Sequence, residues 1–139
     1  KWYSSIYFNY IPGEKIKMGP LWDFDLSYGN VNYADATHVE GFWIRDNPWY
    51  QRLFEDPNFE NQVKDRFMYF YNNSEIIFNK IDDYEVYLER AQEENYLRWA
   101  TLGTYVWPNP VYFDTHSEEI DHLKSWLTSR MNWLNNQFE

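Results

Sequence analysis

Ile120, Leu123, Leu127, Met131, Leu134 and Phe138 recur every three or four residues near the end of the chain, flanked by Trp126 and Trp133. A stripe at that spacing demands one long amphipathic helix, because only a 3.6-residue repeat gathers these positions on one face. Thr115 and Glu118 stand where a capping box would start it. An apolar stripe normally faces a core, so this one is expected to make core or interdomain packing and not a ligand groove.

Other helices are signalled upstream. Asn47-Pro48 and Asp56-Pro57 each place a capping residue before a proline at a first helical position. Phe59, Val63, Phe67 and Phe70 then follow at helical spacing, and Ile77, Ile81, Tyr84, Leu88 and Ala91 repeat the rhythm after Ser74. Asp82-Asp83 is a place where that second run could break, which leaves one helix or two open. Gly103 marks a stop, and Tyr105 to Tyr112, with Pro108 and Pro110, reads as a loop.

The first 30 residues read differently. Ser5 to Tyr10 is rich in aromatic and β-branched residues, Ile11-Pro12-Gly13-Glu14 supplies turn chemistry, and Lys15 to Leu26 returns as a second strand. Asn30 to Gly41 is polar and irregular, a loop of the kind on which sites are built. The expected fold class is α+β: an N-terminal β-hairpin followed by a mainly helical lobe. At 139 residues the chain suits one domain.

That second strand carries an unusual pair. In Gly19-Pro20-Leu21-Trp22-Asp23-Phe24-Asp25-Leu26-Ser27-Tyr28-Gly29-Asn30, two carboxylates stand two residues apart among apolar side chains. On an extended strand Asp23 and Asp25 would share a face, with Trp22, Phe24 and Leu26 turned to the other, into a core. Paired carboxylates there are costly unless a cation lies between them, and a hard divalent ion is the natural candidate. Three chemistries use an acidic pair of this kind. Glycosyltransferases hold a metal and sugar-nucleotide phosphates, and some glycosidases use D-x-D-x-E, but Ser27 stands where that glutamate is needed. Kinases use a strand-end aspartate followed by phenylalanine to bind the magnesium that bridges ATP phosphates. Spacing alone leaves the first and third open.

Composition removes other classes. The net charge of −10 argues against nucleic acid and against anionic membrane surfaces. With no cysteine, disulfides and thiolate chemistry are excluded. His38, His116 and His122 are scattered off the i, i+4 spacing of a helical metal site and are expected to be solvated or capping. No run is long enough for a transmembrane helix. Aromatic residues make up 22% of the chain, a surplus suited to large buried faces or to surface that meets another domain or a sugar. Lys1-Trp2-Tyr3 begins in already structured sequence, so the chain is expected to be a piece of something longer.

The run from Gly19 to Asn30 resembles the signature of the CotH kinase family, the spore coat protein H-like atypical protein kinases. Leu53-Phe54-Glu55-Asp56-Pro57-Asn58-Phe59 is similar to that family's segment after the motif loop, and Glu119 to Leu134 to its closing helix. The resemblance implies that residues 1–139 are the C-terminal part of a kinase-like domain, a single partial domain whose N-lobe and upstream catalytic aspartate precede Lys1. It implies that Asp23 binds magnesium with Asp25 as companion, and that Mg2+ and ATP are the cofactors of the full-length protein. Ser4-Ser5 replaces an asparagine of the family pattern. The implied reaction is phosphoryl transfer to serine or threonine of a coat or surface protein, at an extracellular, cell-surface or spore-coat location, with this piece inactive alone. The competing expectation is a non-catalytic coat, cell-surface or cellulosome module that assembles or binds glycans through aromatics such as Trp43 and Trp49, with a glycosyltransferase as a third option. Apolar surface left by a missing lobe would favour self-association.

Overall fold

A computed structural model describes residues 7–20, 22 and 24–139, and for Asp25 the backbone. The chain is mostly helical, with one small antiparallel hairpin at its N-terminal end, an α+β arrangement. The hairpin pairs β1 (Phe8–Asn9) with β2 (Lys17–Met18), in the register Phe8 to Met18 and Asn9 to Lys17. Its turn is closed by Glu14 N–H donating to the Ile11 carbonyl at 2.9 Å.

The expected second strand stops early. Gly19 turns away at φ 130°, and Pro20 has no N–H to give the ladder. Further on, a 3-10 helix spans Asp25–Tyr28, so strand alternation does not extend to Asp25. Ser27 stabilises this turn through both its N–H and its hydroxyl, which donate to the Phe24 carbonyl at 3.0 and 2.5 Å. Trp22 and Phe24 are each more than half exposed, at 53% and 54%, where burial in a core was expected. The expected strand residues Ser5 and Ile6 lie outside the described residues.

Two further 3-10 turns, Asp35–Thr37 and Trp43–Asp46, lead into five α-helices. These are α1 (Pro48–Leu53), α2 (Pro57–Asn72), α3 (Ser74–Tyr87), α4 (Glu89–Arg98) and α5 (His116–Phe138). Each capping signal is used. Asn47 accepts from the N–H groups of Trp49 and Tyr50, Asp56 accepts from Asn58, and Thr115 and Glu118 form a reciprocal box. The run after Ser74 passes straight through Asp82-Asp83 and breaks at Leu88 instead, where ψ opens to 1°. Residues 105–112 form a loop, as expected.

The core is built on the apolar face of α5, where Leu127, Met131 and Phe138 are buried. Phe138 meets Phe67 of α2 and Phe42 at centroid distances of 5.3 and 5.6 Å, and Phe42 and Phe59 in turn meet Phe54. Arg45 lies over the rings of Phe42 and Phe54, at 4.6 and 4.4 Å, and pairs with Glu60 at 2.5 Å. Lys124 of α5 reaches Asp82 of α3 at 2.5 Å, and the Tyr71 hydroxyl of α2 donates to Asn132 of α5 at 3.0 Å. The α2 stripe fades at Phe70, which lies 45% exposed beneath Arg66, and the α3 stripe fades at Tyr84. The hairpin residues Phe8, Ile16 and Met18 are at least half exposed.

Leu127→Ala should destabilise the protein by about 3 kcal/mol, the usual cost of emptying a buried leucine site. Loss of the box in Thr115→Ala should cost about 1 kcal/mol. Urea denaturation followed by circular dichroism measures both, and equal losses would show that the α5 stripe is not the core.

Candidate functional site

The acidic run is positioned from both ends. On its N-terminal side, Gly19 N–H extends the hairpin by donating to the Tyr7 carbonyl at 2.9 Å, and Trp22 meets the Tyr7 ring edge-on at 6.1 Å. On its C-terminal side, the 3-10 helix ends at Gly29, whose φ of 81° lies in the left-handed region. Gly29 packs directly on Trp126 of α5: a Cβ there would stand 2.7 Å from Cε2 of the indole. Tyr28 meets the same indole edge-on at 6.5 Å. Trp126 Nε1 donates to the Thr37 carbonyl at 3.0 Å, and Arg130, one turn later, donates to the Val39 carbonyl at 2.6 Å. The 3-10 turn and the loop after it are therefore pinned to the last helix. Val31, just past Gly29, is 2% exposed, the most buried side chain reported for the core.

Asp23 lies outside the described residues, as does the side chain of Asp25, whose backbone opens the 3-10 helix. Ser4-Ser5 also lies outside them. Among the described residues, no group of three His, Asp or Glu side chains gathers to hold a metal ion. At the motif the sequence offers the Asp23 and Asp25 carboxylates, a pair of hard oxygen donors. That donor set fits Mg2+, which is usually held by one or two carboxylates plus phosphates and not by a full protein cage.

The histidines depart from expectation. His38 is exposed, but His116 and His122 are half-buried, beside Tyr96 at 6.1 Å and Phe113 at 5.2 Å. Both line one cavity with Glu119. The three-residue steps from His116 to Glu119 to His122 were the available signal, since i, i+3 positions neighbour each other on a helix. Burial and the Glu119 carboxylate raise the pKa of Tyr96 in that cavity, so its hydroxyl stays protonated at neutral pH. The tryptophans singled out from the sequence part ways. Trp43 folds over Gly41, whereas Trp49 stands 67% exposed on α1.

Comparison with known proteins bears on this architecture directly. A family model described as CotH kinase protein matches residues 2–134, from before the hairpin to near the end of α5. The chain belongs to the CotH kinase protein family. In this CotH chain the Leu53–Phe59 segment is the α1–α2 junction, where Phe54 and Phe59 meet edge-on at 5.3 Å, and the closing helix is α5. The chain is also 26% identical over 103 residues to phospholipase B-like protein B of Dictyostelium discoideum, covering 72% of this chain. It spans 15% of the length of that relative. No solved structure matches the CotH chain. No helix among the described residues is long and apolar enough to cross a membrane.

The Gly29–Trp126 contact can be tested against another left-handed glycine. Gly13, at φ 88°, has nothing within 4 Å of where a Cβ would stand. Gly13→Ala should lose about 1 kcal/mol from backbone strain alone. Gly29→Ala adds overlap with the indole and should lose about 2–4 kcal/mol. Equal losses in urea melts would mean that the indole does not hold the motif.

Proposed function

We propose that this chain is the metal-binding and helical part of an atypical protein kinase, a single partial domain over residues 1–139, acting within a full-length protein on serine or threonine of a coat or surface protein. Membership of the CotH kinase protein family supports the reading most. Two features support it further. The acidic run follows a hairpin, and a glycine-terminated turn fixes its far end against α5.

In this reading Asp23 holds Mg2+ and Asp25 assists it. When bound there, the ion neutralises and orients the phosphates of ATP, so that catalysis is mainly positioning and electrostatics. The residues of this chain contribute in two ways. The carboxylates supply the negative charge for the ion, and the Gly29–Trp126 packing keeps the turn after them from drifting. An ångström-scale shift in such a site is enough to lose most of the rate. Phosphoryl transfer belongs to the full-length protein, where the remaining contacts to ATP would come from sequence outside this chain. A spore-coat or cell-surface location follows from the same family reading.

In the full-length protein, Asp23→Ala should lower Mg-dependent phosphate transfer from labelled ATP by about a hundredfold or more. Asp25→Asn should lower it less, and chelation of Mg2+ should stop it. Undiminished transfer in Asp23→Ala would end the assignment.

A further inference from the structure

Between the end of the acidic run and the head of α5 lies a cavity of about 470 Å³. Its wall includes Asn30 from the motif loop, Tyr96 from α4, Tyr112 and Asn109 from the 101–112 loop, and Glu119 from α5. The charge of this wall narrows what it can hold. No lysine or arginine lines it. Its one carboxylate, Glu119, is engaged by its own backbone, with Oε1 accepting the Phe113 N–H at 2.9 Å. A phosphate- or sulfate-bearing ligand would meet two imidazoles but no lysine or arginine there, and a chain of net charge −10. A metal ion would find no group of three His, Asp or Glu side chains gathered to hold it among the described residues. What remains, beside the imidazoles of His116 and His122, is a set of uncharged donors and acceptors, phenols and amides, set among aromatic rings.

The loop continues this surface outward. Trp107 stands between the wall residues Val106 and Asn109 and stacks on Tyr33, with centroids 5.6 Å apart and planes 15° from parallel. Despite that stack, Trp107 is 66% exposed. Asn32 donates to the Tyr105 hydroxyl at 2.7 Å, tying the loop to the segment that follows the motif. The nearly parallel ring pair is thus fixed before any ligand arrives, which lowers the entropy lost on binding.

We propose that this cleft, with the Trp107–Tyr33 pair as its rim, binds a neutral oligosaccharide. A pyranose presents flat C–H faces and a rim of hydroxyls. The first suit a rigid aromatic platform and the second suit uncharged phenols and amides placed around an apolar floor. Tyr96, held protonated, keeps a hydroxyl donor in the wall. The site differs from the one the sequence suggested, because neither Trp43 nor Trp49 lines it. It does not depend on phosphoryl transfer, so binding can be measured without ATP and without activity.

Isothermal titration calorimetry and amide NMR on this chain, with cellohexaose, xylohexaose and mannohexaose as probes and hexagalacturonate as the anionic comparison, test the proposal. At least one neutral probe should bind with Kd below about 1 mM. Trp107→Ala should weaken it about tenfold, and Trp107→Tyr should recover most of that loss, because a flat amphipathic ring is restored. Asn109→Ala reads the wall independently, should Trp107→Ala disturb the loop, and should weaken binding about threefold or more. Trp49→Ala should leave affinity unchanged. The proposal is overturned by an absence of binding to all neutral probes up to about 10 mM. Tighter binding of hexagalacturonate, or affinity that survives both Trp107→Ala and Asn109→Ala, would overturn it equally.

Discussion

The packing of the Trp126 indole against Gly29 is the contact that ties the N-terminal part of this molecule to its last helix. One side chain on the last helix reaches the end of the acidic run, meets Tyr28 edge-on and accepts no substitute for glycine beneath it. Its ring N–H also satisfies the Thr37 carbonyl in the loop that follows. A short hairpin of two-residue strands has little stability of its own in water. The 3-10 turn at Asp25–Tyr28 therefore takes its position from α5 more than from the strands that precede it.

Elements written locally were legible from sequence. The prolines after Asn47 and Asp56, the Thr115–Glu118 box and the α5 stripe are each decided within a few residues, and each forms as expected. Features set by distant partners were not. Alternation predicted a strand through Leu26, but the ladder ends at Gly19, and Ser27 rewards a tight turn with two bonds to one carbonyl. Asp82-Asp83 looked like a break, yet Asp82 has a lysine from α5 to hold it on the helix surface. His116 and His122 looked unrelated until α5 brought them into one cavity with Tyr96. Trp107 gave no signal at all, since its stack on Tyr33 joins two loops.

The aromatic surplus is divided between two uses. One set, Phe42, Phe54, Phe59, Phe67 and Phe138, interlocks edge to face or tilted around α5 and encloses the Arg45 guanidinium. Planar cations over aromatic faces can be taken out of water without losing all stabilisation, because the ring quadrupole replaces part of the hydration and Glu60 supplies the counter-charge. The other set stays at the surface. Trp49, Trp99 and Trp107 are each more than half exposed, which an autonomous core would not require.

The Trp126 anchor also imposes an order of events. A ribosome releases Gly29 first and the Trp126 indole only after the helices between them. Until α5 emerges, Gly29 has nothing to pack on, and a glycine in a loop samples many conformations. The turn at Gly29 is thus made well before the side chain that fixes it. A nascent chain stalled before α5 would carry the 3-10 turn and its glycine without the indole that fixes them.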